Sequence, residues 1–86
     1  MNFIVTFIDE VRRRRAMRVA RPYFLSQLVS IFGKEAEITP GDYEFDYFVP
    51  VPVDQLDELG MRVCRLEFEV QERFGVRLSA LPIPHN

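Results

Sequence analysis

The stretch from Asp54 to Gly75 constrains this chain most, because it has the start, the periodicity and the end of a long α-helix. Pro50 and Pro52 hold the preceding chain extended, and the short carboxylate of Asp54 suits an N-cap. Gly75 stands where a left-handed residue commonly closes a helix. The sequence therefore predicts a helix over residues 55–74.

Two apolar rows run along this predicted helix. The first has helical spacing and consists of Leu56, Leu59, Val63, Leu66 and Val70. The second lies on a different side, at about 100° per residue, and consists of Met61, Cys64 and Phe68. A helix that is apolar on two sides needs two surfaces to pack on. We expect a sheet against one, and either the N-terminal helix or a second protein chain against the other.

Alternating segments on both sides of the helix predict two strands, one over residues 43–49 and one over residues 76–81. Pro82 and Pro84 are expected to stop the second strand. If these two strands share a sheet, we expect them to be parallel neighbours, or separated by one strand, with a right-handed crossover. The expected fold is a single small α/β domain over residues 1–86, a two-layer sandwich. It has a three- to four-stranded sheet with two or three helices on one face, including a β-α-β unit over residues 43–81.

The N-terminal third is less regular. Residues 2–7 favour a strand followed by a helix capped by Asp9, although helical spacing also fits this segment. Pro22 is expected to end or kink that helix. Residues 28–32 fit either a helix or a short strand closed by Gly33.

Charge is divided unevenly along the chain. Residues 1–34 carry seven basic and two acidic side chains, a net charge of +5, and residues 35–86 carry four basic and eleven acidic ones, a net charge of −7. A domain of 86 residues buries only roughly 60–65% of its extended-chain surface, so self-association would add stability. We therefore predict a non-catalytic interaction or scaffold domain that forms a homo-oligomer or binds a protein partner. Its contact centre would be Met61, Cys64 and Phe68.

Six arginines lie close together in the basic part, which suggests an alternative function as a nucleic-acid-binding regulator. No aromatic residue that could stack on a base lies among them. The arginines would otherwise pair with acids of the same or a neighbouring chain, for which Glu58, Glu69 and Glu72 are available. The candidate anion or nucleic-acid contacts are Arg12, Arg13, Arg14, Arg15, Arg18 and Arg21.

Three carboxylates at alternate positions, Asp42, Glu44 and Asp46, would point to one side of an extended strand. Glu44 and Asp46 could together hold Mg²⁺. The other interpretation is a solvated sheet face on which these carboxylates pair with Arg77 across the strands.

Residues 28–81 resemble a minimal nucleotidyltransferase domain. The matching elements are Ile31-Phe32-Gly33, a polar loop, Glu44-Phe45-Asp46 leading into the strand, the long helix and the last strand. Lys34 stands in place of the phosphate-binding serine, Glu44 in place of the first aspartate, and Arg77 and Ser79 where a third carboxylate is wanted. The resemblance implies a related fold without transfer chemistry, which could still bind a nucleotide.

Other features narrow the function further. The single cysteine cannot form an internal disulfide, and His85 has no companion ligand, so we expect no metal and no cofactor. Residues 1–8 are too short to span a bilayer and have no preceding basic region. We expect a cytoplasmic protein without a membrane partner.

Overall fold

The computed structural model describes residues 2–85, with side chains from Ile8 to His85. In these residues three strands form a mixed sheet, and two α-helices pack on one face of it. The elements are α1 (Asn2–Phe32), β1 (Thr39–Pro40), β2 (Tyr47–Pro52), α2 (Leu56–Phe74) and β3 (Ala80–His85). The sheet order is β1-β2-β3, with β1 antiparallel to β2 and β2 parallel to β3. The predicted fold class, with its β-α-β unit, is confirmed.

Helix α2 matches the predicted helix to within one residue at its start. Gly75 closes it with a φ of 70°, and the Gly75 N–H donates to the Gln71 carbonyl at 3.0 Å. The prediction that Asp54 is the N-cap was wrong. Asp54 lies inside a short 3₁₀ turn, Val53–Gln55, and Gln55 occupies the N-cap position without a side-chain hydrogen bond. The carboxylates of Asp57 and Glu58 in the first turn still stabilise the helix, because they lie near the positive end of its dipole.

The core lies between the two helices and the sheet. Helix α2 contributes part of its first apolar row, α1 contributes residues spaced by four, and the ring of Phe24 stacks on Tyr47 of β2 at 6.0 Å. Leu56 and Leu59, at the start of the α2 row, are only half-buried. The buried helix residues are Ala20, Phe24 and Leu28 of α1 and Val63, Leu66 and Val70 of α2.

Helix α1 is continuous, and two expectations about the N-terminal third were wrong. Residues 2–7 are helical and not a strand, and Asp9 lies within the helix instead of capping it. Of the two alternatives for residues 28–32, the helix is confirmed. Pro22 lies inside the helix without ending it. Since proline has no N–H, the Arg18 carbonyl lacks its usual helical partner, at a cost of about 3 kcal/mol. The helix persists because Ala20 and Phe24, on either side of the proline, are both fully buried on the core side.

Both long strands begin four residues later than predicted. The turn around Asp42 delays β2, because the Asp42 carboxylate accepts hydrogen bonds from the N–H groups of Glu44 and Phe45 at 2.8 and 3.2 Å. Strand β3 starts at Ala80 and continues through Pro82 and Pro84, which were expected to stop it. These prolines fit because β3 is an edge strand.

Candidate interaction surface

The second apolar row of α2 lies on the surface of the single chain. Met61 is 61% exposed, Phe68 is 65% exposed, and Cys64 is also exposed. Neither α1 nor the sheet covers these three side chains. We call them the α2 patch.

Helix α1 packs against a different side of α2. The hydroxyl of Tyr23 donates a hydrogen bond to Glu69, and the ring of Tyr23 lies 5.4 Å from that of Phe74. The guanidinium of Arg73 covers the same tyrosine ring at 5.0 Å. The hydrogen bond to Glu69, followed by burial, raises the pKa of Tyr23. Contact between the helices thus occupies the side of α2 that carries Glu69 and leaves the α2 patch open.

A groove of about 510 Å³ runs between α2 and the edge strand β3. Val63 and Ala80 are its most buried lining residues, and Met61 and Cys64 belong to both the groove and the α2 patch. The lining is mainly apolar, with charges from one arginine and two acids. It comprises Phe45, Leu56, Asp57, Gly60, Met61, Val63, Cys64, Arg65, Glu67, Ala80, Leu81 and Pro82. We call it the α2–β3 groove.

Glu67 connects the two walls of this groove. Its carboxylate accepts a 3.0 Å hydrogen bond from the backbone N–H of Ala80, the first residue of β3. Burial raises the pKa of Glu67, the Ala80 hydrogen bond lowers it, and the nearby charge of Asp46 raises it. Our sequence interpretation missed Glu67. Its spacing from Val63 and Val70, four and three residues, was the available signal, because that spacing places an acid beside the buried row.

The outer edge of β3 has no available N–H donor within Ala80–His85. The Tyr47 N–H donates to the Ser79 carbonyl, so odd-numbered residues of β3 face β2 and even-numbered ones face outward. The outward positions are Ala80, whose N–H binds Glu67, and Pro82 and Pro84, which have none.

The opposite edge of the sheet is similar. Strand β1 pairs only with Tyr47 and Phe48, and the next outward-facing positions of β2 are Pro50 and Pro52. An added strand would need N–H donors that neither β3 nor the part of β2 beyond β1 supplies. Association by strand addition at the sheet edges is therefore disfavoured, whereas association through the exposed surface of α2 does not depend on these donors.

The candidate arginines fall into two groups. Arg21 faces the sheet, where it donates to the Tyr47 hydroxyl at 3.1 Å and lies 3.8 Å from Asp46. Arg14 pairs with Glu10 along the helix at 3.2 Å. The other four, Arg12, Arg13, Arg15 and Arg18, are exposed and form no ion pair with the described side chains. Glu58, Glu69 and Glu72 do not pair with any of the six.

The candidate carboxylates do not share one side of a strand, because β2 begins only at Tyr47. Asp46 accepts from the N–H of Ser79 at 3.0 Å and from its hydroxyl at 3.3 Å, and its ion pair is with Arg21 and not with Arg77. Glu44 is exposed in the turn before the strand. Over residues 2–85 no three His, Cys, Asp or Glu side chains cluster in a way that could hold a metal.

Comparisons with known proteins give no match: no family model, no curated protein and no solved structure is similar to this chain. Neither helix in the described part of the chain is long and apolar enough to cross a bilayer. Fold and surface geometry therefore carry the functional argument.

Proposed function

We propose that this chain is a non-catalytic interaction domain that associates with itself through the α2 patch. The observation that carries the proposal is the exposure of Met61 and Phe68, at 61% and 65%, on a helix whose other apolar row is buried at Val63, Leu66 and Val70. Met61 lines the apolar α2–β3 groove, and Phe68 lies one helical turn after Cys64, which also lines it. A contiguous apolar surface of this kind on a small domain marks an interaction site.

Charge supports a second copy as the partner. The basic half of the sequence lies mainly in α1, and the acidic half includes α2 and the turns around the sheet. The chain therefore carries both members of a complementary pair of surfaces. A two-fold axis would place the basic helix of one copy near the acidic region of the other in both directions. Such charges fix orientation and increase the association rate more than they add affinity.

The test is the mass of the protein in solution, measured by sedimentation velocity across the micromolar range. We expect the wild-type chain to associate with increasing concentration, and the Phe68→Asp variant to remain monomeric. Because Phe68 is largely exposed, its replacement should change the unfolding free energy of the monomer by no more than about 0.5 kcal/mol.

Tyr43→Asp is the matched control, since Tyr43 is fully exposed and lies outside the α2 patch and the α2–β3 groove. It should associate like the wild type. A wild-type chain that is monomeric throughout the range, or a Phe68→Asp variant that associates normally, would refute the proposal.

Binding of nucleic acid is a second candidate function, favoured by the exposure of Arg12, Arg13, Arg15 and Arg18. Cations that contact phosphates release counterions, so such binding weakens steeply with salt. Gel shifts with RNA and DNA at low and moderate salt test it, with glutamine replacing Arg12 to Arg15. Absence of binding at low salt, or an affinity that is unchanged by the substitutions, would contradict a nucleic-acid-binding function.

A further inference from the structure

The first half of α1 lies outside the core. Ala16 is the first described residue of α1 that packs against the core. Thirty-one residues of helix span about 46 Å, and the molecule measures 54 × 22 × 19 Å. Helix α1 therefore lies along the long axis, and residues 2–15 project beyond the folded body. We call this segment the arm.

The apolar side of the arm faces away from the core side of α1. Val11 lies about 140° around the helix from Phe24, at 100° per residue. Ile8, one turn before Val11, is 43% exposed. In the sequence, Ile4 and Phe7 continue the same spacing towards the N-terminus. The domain's own core cannot cover Ile8 and Val11, because the helix turns these two side chains in another direction.

We propose that the arm of a second copy of this chain occupies the α2–β3 groove, and that the two copies exchange arms. The inference rests on the proposed self-association and names the element that makes the contact. An amphipathic helix in an apolar groove is a common mode of recognition, with anchors spaced by three and four residues. Val11 and Ile8 supply such anchors, and the groove supplies an apolar lining.

Length and charge agree with this pairing. The groove follows α2 from Leu56 to Glu67, about 17 Å, and the arm is about 21 Å long. The lining of the groove carries two acids, Asp57 and Glu67, and one base, Arg65. The arm ends in four consecutive arginines, of which only Arg14 has an ion-pair partner among the described side chains.

Gly60 gives an independent reason to expect a helix in this groove. It lies in the interior of α2, where glycine costs about 1 kcal/mol relative to alanine. Nothing on the described chain lies within 4 Å of an added Cβ, so the chain's own packing does not require glycine there. A partner helix that approaches the α2 backbone closely would require it.

The arm cannot reach the groove of its own copy. Helix α1 packs against the side of α2 that carries Glu69, whereas the groove lies along the side that carries Gly60 and Cys64. Because α1 is one continuous helix, the arm could fold back only if that helix broke. Exchange between two copies closes the assembly without such a break.

Cys64, the chain's single cysteine, makes the exchange testable by cross-linking, since it lines the groove. Under a mild oxidant, the Val11→Cys variant should form a disulfide-linked dimer through Cys64. The rate should exceed that of Val29→Cys on the order of a hundredfold, because docking holds the thiols at roughly millimolar effective concentration in a solution of about 10 μM. The link should disappear when Cys64→Ser is added to Val11→Cys.

Three other patterns would overturn the arm exchange. A wild-type chain that links Cys64 to Cys64 as fast as Val11→Cys links would mean that the two α2 patches meet directly. Linking that persists in Val11→Cys with Cys64→Ser would mean that the two arms pair with each other. A Val11→Cys rate equal to that of Val29→Cys would mean that no arm is docked.

Sedimentation separates this inference from the proposed function. Val11→Asp should abolish association, whereas Val19→Asp, the same substitution at an exposed position beyond the arm, should not. If Phe68→Asp abolishes association and Val11→Asp leaves it intact, the arm exchange is wrong and self-association through the α2 patch stands. If the wild-type chain never associates, the proposed function fails and the arm exchange fails with it.

Discussion

The carboxylate of Glu67 and the backbone N–H of Ala80 form a 3.0 Å hydrogen bond that joins the middle of α2 to the first residue of β3. This acceptor occupies the outward donor at the start of the edge strand. It also places a carboxylate in a partly buried position, which raises its pKa. The Glu67 carboxylate therefore holds the start of β3 in place, but its charged form lowers the stability of the folded state.

Substitutions at Glu67 should separate these two effects. Glu67→Gln keeps an acceptor and removes the charge, so its unfolding free energy at neutral pH should equal or exceed that of the wild type. Glu67→Ala leaves the Ala80 N–H without its partner and should cost about 1–2 kcal/mol. Urea denaturation of the three proteins measures the differences. Equal stability of Glu67→Gln and Glu67→Ala would contradict a role for the hydrogen bond.

The pH dependence of the same pair has a definite sign. Because the folded-state pKa of Glu67 lies above its ordinary value of 4.5, the contribution of this group favours the folded state fully below pH 4.5. That contribution is lost as pH rises through the folded pKa. The wild type should therefore gain stability relative to Glu67→Gln on acidification towards pH 4.5. A difference between the two proteins that is constant with pH would show that the pKa is not raised.

Two glycines should respond to alanine in opposite directions. At Gly41, an added Cβ would press against the carbonyl group of Phe45 across the turn, and such overpacking costs about 1–3 kcal/mol. At Gly60, alanine should instead stabilise the monomer by about 1 kcal/mol. Thermal unfolding of dilute protein measures both. If the arm enters the groove, Gly60→Ala should weaken association even though it stabilises the monomer.

Neighbouring residues of α1 provide a test of the core. Leu28 is fully buried and Val29 is 38% exposed. Leu28→Ala should destabilise the fold by about 2–5 kcal/mol, because it removes buried methyl groups and leaves a cavity. Val29→Ala should have a much smaller effect. Similar losses of unfolding free energy for the two variants would mean that α1 turns a different side to the core.

The contact between α1 and α2 can be followed through Tyr23. Its hydrogen bond to Glu69 raises the pKa above the ordinary tyrosine value of 10.0, so Glu69→Gln should lower it. Glu72→Gln, a change on the same helix outside this contact, should not. A titration of the tyrosine ring signals by NMR distinguishes the two variants. An unchanged Tyr23 pKa in Glu69→Gln would place α1 away from that side of α2.

The sequence predicted what depends on local periodicity and failed where several local signals competed. The two apolar rows and Gly75 located α2, and its two flanking strands implied the parallel β2–β3 pair. The observed limits of the strands differ from the predicted ones. Strand β2 begins late because the Asp42 carboxylate binds the backbone of the following turn. Strand β3 continues past its prolines because an edge strand tolerates them. The sequence could not decide between a helix and a strand for residues 2–7, because their apolar residues fit both periodicities.

The α2–β3 groove was not predictable in the same way. It exists because the edge strand lies beside one side of α2, which is a tertiary relationship between residues far apart in sequence. Gly60, the fifth residue of a strongly periodic helix, was the one local sign of it. The sequence left open whether α1 or a second chain covers Met61, Cys64 and Phe68. Their exposure depends on α1 packing against the side of α2 that carries Glu69, which is also a tertiary relationship.

The prolines of β2 and β3 have a consequence for the protein at high concentration. Stacking of identical strands into cross-β fibrils needs an unbroken row of amide donors from every copy. Here alternate donors are missing at four positions of two adjacent strands: Pro50, Pro52, Pro82 and Pro84. The chain can therefore keep an apolar surface open for a partner without its sheet becoming a template for amyloid.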